Sequence, residues 1–482
     1  MGFRASWRPW ASALLAVAST GILVWFGTGL HPWWPLLWLA PIPVLLFSLR
    51  NAWWSASLVA GLAWFSGGLN LWNYLAVVLH VPPGPLVSIF ALPAVFFALA
   101  VMLFRGLIGK GAFWSGLLAF PATWVSFEYL TGLVSPHGTG GSISYSQLNF
   151  LPVLQVASVT GPWGISFLVL LFPATIATVF HLRPKAPKQA RQISAAMLAV
   201  LTVVLLFGVM RLTWRVPQPE VRVGLIASDQ RENSGVVKEG PQTARLLREY
   251  AVEAERLASQ GARIIVLPEK LGVVVDPETI ATDAFLQSLA DKTKATIVVG
   301  FVQVSSPLKY NRARVYLPGA APRSYDKHHM LPPFESEFKP GTTLTMLPEP
   351  LGHVGVAICK DMDFTPLSRR YGEASAGLML VPAWDFVLDR WAHGHMAVMR
   401  GVESGFSIAR AAKQGYLTVS DDRGRILAET LSDSAPFATL LVDVPAAHHR
   451  TAYLVLGDWF AWFCLAMLVF ALLQLRRSNR FN

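Results

Sequence analysis

Residues 10–30, 33–49, 53–72, 85–104, 112–133, 163–180 and 193–212 follow one another as apolar runs separated by short polar breaks. About 20 such residues are needed to cross the hydrocarbon core of a bilayer. No other feature restricts the fold so strongly. In lipid a backbone satisfies its own N–H and C=O groups only as a helix or a closed barrel. The 33–49 run is the short one. One further run, 454–475, closes the sequence and brings the expected crossings to about eight. Composition agrees: 53% of the 482 residues are hydrophobic, 14% are charged, and the mean hydropathy is +0.44. Soluble domains carry about 25% charged residues. The first run follows Arg4 and Arg8 as a signal peptide would. It is long, has no clear cleavage site and is followed at once by another apolar run, so it is expected to be a retained helix.

The net charge of +11 invites a nucleic-acid reading, but its placement argues otherwise. Arg4 and Arg8 precede the first run, Arg50 follows the second, and Arg105 and Lys110 follow the fourth. Arg183, Lys185, Lys188 and Arg191 lie between the sixth and seventh, and Arg476, Arg477 and Arg480 follow the last. The alternate breaks, around His31, at 80–84 and at 134–162, hold no Lys or Arg. Basic residues collect in cytoplasmic loops. Both termini are therefore expected in the cytoplasm, and the segment between the seventh and eighth helices on the outer face. No nucleic-acid partner is required.

The outer loop 134–162 is polar and glycine-rich, with Ser135, His137, Ser142, Ser144, Tyr145, Ser146 and Gln147. It is too long for a simple hairpin. Either it packs on the extramembrane domain, or it forms a wall of a lipid or substrate entrance, to which Glu128 at the outer end of the fifth helix would belong.

From about residue 219 the pattern changes. Strands are expected at 221–227, 263–267, 295–304, 312–317, 378–382, 415–420 and 438–444, with helices at 242–259, 285–292 and 395–404. Several strands are continuous apolar runs, which implies an α/β layered domain with a sheet buried on both faces. The expected organisation is a seven-helix membrane bundle over 1–215, an α/β domain over 219–448 and a final transmembrane helix at 454–475.

Residues 351–363, LGHVGVAICKDMD, read as a buried strand that ends by presenting Cys359. The only other cysteine, Cys464, lies in the last apolar run, so no disulfide framework is expected. A thiol at a strand end is either a core cysteine or a nucleophile, depending on whether a base and a cation meet it. Two other strand ends supply those types: Glu269 after IIVLP, and Lys327 in YDKHHMLPPFESEFKPG. In layered α/β domains ligand chemistry collects beyond strand ends.

Together LPEK, YDKHH, EFKPG and ICKDMDF resemble the carbon–nitrogen hydrolase (nitrilase) superfamily and its Glu–Lys–Cys triad, over about residues 221–444. A nitrilase-like domain set between a bundle of membrane helices and one final helix resembles the apolipoprotein N-acyltransferase family. PVLQVASVTGPWGISFLV is similar to that family's loop and sixth helix. The resemblance implies an αββα sandwich inserted before the last helix. It implies a bacterial inner-membrane enzyme with its catalytic domain on the periplasmic side, expected as a monomer with no cofactor and no metal. Cys359 would take a fatty acyl chain from a membrane phospholipid as a thioester. It would then pass the chain to the α-amino group of the N-terminal diacylglyceryl-cysteine of an apolipoprotein.

In these roles Glu269 takes the thiol proton and returns it to the leaving group. Lys327 favours the thiolate and, with the backbone N–H of Lys360, stabilises the oxyanion; such donors contribute on the order of 3 kcal/mol each. A carboxylate should orient Lys327: Glu337 by the EFKPG match, or Glu335 two residues earlier. Trp384, His393 and Phe334 are candidates for the substrate pocket. The apolar segments LGVVVD, MLPPF and WDFVLDRW form either a lid that dips into lipid or ordinary packing.

The chain departs from the family around the pocket. Lys360 follows the nucleophile where an aromatic residue is common, and Lys270 follows the base where a small one is. Ala383-Trp384-Asp385 and Ala412-Lys413-Gln414-Gly415 replace Asn-containing turns. His393 and His395 lack the further ligands a metal would need. His328 and His329 are expected to position the Lys327 loop, and Arg400 and Arg410 to pair with Glu403 or Asp361. The competing readings are a membrane-tethered amidase that passes its thioester to water, and a catalytically silent scaffold.

Overall fold

The computed structural model describes residues 8–214, 218–230, 239–348 and 353–477. Arg4, Arg480 and the first two residues of the 351–363 stretch lie outside them. The chain divides into two compact units. The first comprises Met1–Leu133, Gly141–Thr213 and Leu456–Asn482; the second comprises Val134–Gly140 and Trp214–Val455.

The first unit is helical. Among the described residues, six helices are long and apolar enough to cross a membrane: Trp10–Gly27, Pro83–Gly109, Phe113–Val134, Pro162–Leu182, Pro187–Thr213 and Trp459–Arg476. The 33–49 run divides into Trp34–Leu39 and Ile42–Ser48. Pro41 stands between them, where a missing N–H and a ring clash interrupt a helix. The 53–72 run forms Trp53–Gly68, then a 3-10 turn and a π-helical turn at Tyr74–Val78. The helices differ in burial. Of the most apolar window, 72% is buried in Pro162–Leu182 but only 17% in Pro187–Thr213 and Trp459–Arg476. The last two hold Leu198, Val203, Trp462 and Phe470 outward. Such a surface is costly in water and matches a lipid environment. Basic side chains fasten one end of this unit: Arg105 donates to the carbonyls of Ser48 and Asn51 at 2.9 Å, and Lys110 to that of Leu475 at 2.6 Å.

Glu128 is buried in this unit. Its carboxylate accepts from Trp124 Nε1 at 2.9 Å, the Ile143 N–H at 2.7 Å and Ser142 Oγ at 3.0 Å. Gln147 accepts from Trp38 Nε1 at 2.8 Å. A buried carboxylate is tolerated only with such donors. Residues 141–147 of the polar loop are thus stitched into the helices, whereas Val134–Gly140 group with the α/β unit.

The second unit stacks two sheets. One has the strand order β13-β1-β2-β4-β5-β6, with β3 also paired to β4. These are β1 (Glu220–Ala227), β2 (Ile264–Val266), β3 (Gly272–Val275), β4 (Thr296–Ser305), β5 (Leu308–Tyr316), β6 (Arg323–Asp326) and β13 (Ala438–Pro445). The other runs β12-β11-β10-β9-β8-β7, from β7 (Thr345–Met346) through β8 (Val354–Val356), β9 (Leu378–Trp384), β10 (Ser407–Lys413) and β11 (Tyr416–Ser420) to β12 (Ile426–Leu431). Strand alternation sorts the side chains. Val223, Leu225 and Ala227 of β1 enter a core shared with Val356, Leu380 and Ile408 of the second sheet. Ile226 faces the other way, onto Leu246, Tyr250, Ala254 and Leu257 of helix Pro241–Ser259. Those helical residues recur at three- and four-residue spacing, so their stripe covers the sheet. Helices Thr365–Glu373 and Arg390–Ser404 pack on the second sheet's side. The result is an αββα sandwich.

Candidate active site

Three loops converge beyond the strand ends. Glu269 follows β2, and its backbone is laced to both sheets: its N–H donates to the Ala383 carbonyl at 3.2 Å, and Leu271 N–H to that of Gly300 at 2.7 Å. Gly300 lies directly beneath. A Cβ there would stand 2.6 Å from the Glu269 Cα and 2.7 Å from the Pro268 carbonyl oxygen, so only glycine allows this approach. Lys327 follows β6, and its N–H donates to the Asn311 carbonyl at 2.9 Å. Cys359 follows β8 and opens a 3-10 turn, Cys359–Asp363. Its φ is +45°, in the left-handed region that L-residues avoid.

Asp361 holds that turn. Its carboxylate accepts from the N–H groups of Ile358 at 3.1 Å, His328 at 3.1 Å and His329 at 2.9 Å, and from Tyr325 Oη at 2.8 Å. One buried carboxylate therefore fixes the cysteine turn and the Lys327 loop together. Among the described residues Asp361 forms no ion pair with an arginine. Arg410 pairs instead with Asp385, and Arg400 with Glu403 at 2.9 Å.

The Lys327 ammonium lies between two carboxylates, 2.9 Å from Glu269 Oε1 and 2.9 Å from Glu335 Oε2. All three are almost fully buried. Asn311 Nδ2 donates to Glu269 at 2.5 Å and to Glu335 at 2.7 Å. Glu335 also accepts the Lys270 ammonium at 2.5 Å and the Leu331 N–H at 2.8 Å. Of the two carboxylates weighed from the sequence, Glu335 thus orients Lys327. Glu337 points to the surface and pairs with Lys309 at 2.7 Å. The loop between Lys327 and Phe338 turns Glu335 inward, and two residues later the chain has left the site.

Burial opposes the charge on Lys327, yet Glu269, Glu335 and the Cys359 side overcome it and hold the ammonium well above its ordinary range. Burial likewise opposes ionisation of Glu335, but Lys327 and Lys270 outweigh it and keep the carboxyl at about 2. The Cys359 thiol is pushed up, first by burial and then by the Glu269 carboxylate, with Lys327 and Arg410 working against the rise. The resting Cys359 side chain is therefore held as a thiol. Its S–H donates to the Trp384 carbonyl at 3.5 Å.

The other expected site residues are distributed as follows. Trp384 ends β9 beside the sulfur, and the Lys413 ammonium stands 3.9 Å from its ring centroid. His393 faces Asp389 at 3.2 Å and Asp385 at 3.6 Å. Burial works against its charge, but these carboxylates raise it to about 9. The ligand atoms of Asp385, Asp389 and His393 lie within 4.8 Å of one another, as in a metal site. The fold thus brings His393 the two carboxylates that the sequence did not show beside it, and Arg410 engages both Asp385 oxygens in the same cluster. Lys360 is buried; its ammonium donates to His137 Nδ1 at 2.9 Å and lies 3.6 Å from Asp363. Burial and that ammonium hold His137 down at about 4, so it accepts as a neutral ring. Phe334 is exposed with Val387 and Leu388, and its ring lies 5.6 Å from that of Phe386. The segment LGVVVD is not a lid loop: it carries β3, which pairs with β4. Asn311 is not marked by the sequence as a site residue, and Lys413 is marked only as part of a pocket turn that departs from the family. Asn311 is one polar residue in a strand of Lys, Arg and Tyr. Lys413 belongs to β10, a strand that the sequence pattern did not announce.

Residues 225–440 match the carbon-nitrogen hydrolase family model. The α/β unit is therefore a carbon–nitrogen hydrolase domain, in a chain that also holds membrane-capable helices. Residues 20–175 match the apolipoprotein N-acyltransferase N-terminal domain, so the chain carries both of these domains. It is similar to the apolipoprotein N-acyltransferase of Geobacter metallireducens, with 28% identity over 92% of each chain. It is also similar to that of Vibrio vulnificus, with 24% identity over 96% of this chain and 97% of the relative. Among solved structures, an amidase from Nesterenkonia sp. is 21% identical, with a TM-score of 0.41 over 48% of this chain and 92% of the amidase.

Proposed function

We propose that the chain transfers a fatty acyl group from a membrane phospholipid, through a thioester on Cys359, to the α-amino group of a diacylglyceryl-cysteine at the N-terminus of an apolipoprotein. The observation that carries this reading is the Lys327 ammonium shared by two buried carboxylates within electrostatic reach of the cysteine. Glu269 takes the proton from Cys359 as the sulfur attacks the ester carbonyl. Lys327 and the backbone N–H of Lys360 stabilise the oxyanion. The tetrahedral intermediate collapses to the thioester, and Glu269 returns the proton to the departing lysophospholipid oxygen. In the second half the acceptor amine attacks the thioester, Glu269 takes the amine proton, and the sulfur leaves with a proton restored. Glu335 and Asn311 keep Lys327 and Glu269 aligned throughout.

Both substrates are lipid-anchored, and drawing either into water would cost about 0.8 kcal/mol per CH₂. A membrane-held enzyme avoids that cost. The alternation of Lys and Arg among the loops supports an inner-membrane protein with its α/β unit on the outer side. The shared basic end formed by Arg105 and Lys110 agrees with that sidedness. Phe334, Val387 and Leu388 supply an exposed apolar rim for the acyl chain's approach.

The test is mass spectrometry of the detergent-solubilised protein after exposure to phospholipid, followed by a diacylated lipopeptide. An acyl adduct on Cys359 that disappears as triacylated lipopeptide forms is the expected result. Release of free fatty acid without transfer would instead identify a hydrolase, and absence of any adduct would overturn the thioester.

A further inference from the structure

Lys413 is the last residue of β10 and is fully buried. It pairs in register with Trp384, the last residue of β9. Its ammonium lies 3.9 Å from the centroid of the Trp384 ring and donates to the Lys270 carbonyl at 3.2 Å. Each of those partners touches the reaction machinery. Lys270 follows the base Glu269 and holds a left-handed φ of +47°. Trp384 offers the carbonyl that accepts the Cys359 S–H. A non-glycine residue at such a φ persists only where its surroundings hold it. Below Lys413, the next residue's N–H is fixed to the Asp229 carboxylate at 2.8 and 3.0 Å, so the lysine's backbone is anchored as well.

We propose that Lys413 is a positioning residue for acyl transfer: its ammonium, clamped between the Trp384 ring and the Lys270 carbonyl, fixes the loop that carries Glu269 to the strand end that receives the Cys359 thiol. The inference rests on the reading of Cys359 and Glu269 as nucleophile and base. Only the charged lysine is drawn to the face of the ring. Burial brings that charge down to about 7, with Glu269 and Asp229 favouring it and Lys270 opposing it. The remaining charges on the adjoining strands are Asp385, at the end of β9, and Arg410 of β10, which neutralise each other. Rising pH through about 7 therefore loosens the clamp.

The experiment is single-turnover acylation of Cys359 from phosphatidylethanolamine in mixed micelles, read by intact-protein mass spectrometry between about pH 5 and 9, with melting temperature as the folding control. Wild type is expected to lose rate on an alkaline limb near 7. Lys413→Arg, whose charge does not titrate there, is expected to hold its rate across that limb. Lys413→Met should be slower by on the order of 10- to 100-fold, the effect of a small misplacement, with no limb near 7 and little change in the half-saturating lipid. Lys413→Met within twofold of wild type, or Lys413→Arg declining on the wild-type limb, would overturn the proposal. If Lys413→Met does not fold, the arginine profile decides alone. No adduct on the wild-type protein at any pH would instead count against the thioester reading.

Discussion

The backbone N–H of Glu269 donates to the carbonyl of Ala383, 3.2 Å away. The two residues belong to different sheets, one following β2 and the other within β9. Glu269 is thus tied to the strand whose next residue, Trp384, receives the Cys359 thiol. Cys359 and Glu269 share one support, which limits how far they can drift apart.

The pairing of Lys327 separates two neighbouring glutamates. Glu335→Gln takes a counter-charge from the buried Lys327 ammonium and from the partly buried Lys270. Breaking a buried pair in this way costs about 3–5 kcal/mol. Acyl transfer should fall at least about 100-fold, with a lower melting temperature. Glu337→Gln removes only a surface pair with Lys309, worth about 0–1 kcal/mol, and should leave rate and melting within error. Measured rates for the two variants check this directly.

Asn311 donates to both carboxylates from a single nitrogen. Asn311→Leu keeps the volume but removes the hydrogen bonds that join Glu269 to Glu335. The expected result is loss of roughly 10- to 100-fold in Cys359 acylation, with Asn311→Asp worse because it adds a third negative charge to the cluster. Acylation read by mass spectrometry distinguishes the two.

Gly300 supports the Glu269 backbone from below. In Gly300→Ala the new Cβ would meet the Glu269 Cα at 2.6 Å, and β4 or the loop must shift. A destabilisation of about 1–3 kcal/mol is expected, together with a larger loss in acylation rate than the stability change explains. Denaturation and single-turnover kinetics on the same preparation test the prediction.

His393 makes stability depend on pH. Its folded value of about 9 exceeds the ordinary 6.5, since Asp389 and Asp385 overcome its burial. Its contribution is therefore complete below 6.5 and is lost as pH rises through about 9. Glu335 has the opposite sign. Held at about 2 against an ordinary 4.5, it contributes above 4.5 and is lost as pH falls through about 2. The melting-temperature difference between wild type and His393→Gln should shrink between about pH 6.5 and 9. A difference that stays flat across that window would contradict the assignment.

The apolar helices and the layered α/β unit were legible because hydrophobic spacing reports burial directly. The stripe Leu246, Tyr250, Ala254 and Leu257 is one example. The strand β10 was not legible. Its sequence, SIARAAK, carries Arg410 and Lys413, yet all seven residues are buried, and such charges conceal a core strand. β3 looked like a loop because GVVV is short and lies beside the base. The candidate triad was visible as strand-end residues within four short motifs. The choice between Glu335 and Glu337 was not, since a two-residue difference in a loop is settled by the path of the chain. His137 reaches Lys360 over 223 residues of sequence, and no local pattern signals such a contact.

The left-handed backbone at Cys359 narrows what can replace that residue. A β-branched side chain is penalised most at such a φ, so threonine is closed off as a substitute nucleophile even where its hydroxyl would reach the same carbonyl. Serine can follow the turn at the cost that cysteine already bears, so an exchange of sulfur for oxygen there favours serine over threonine.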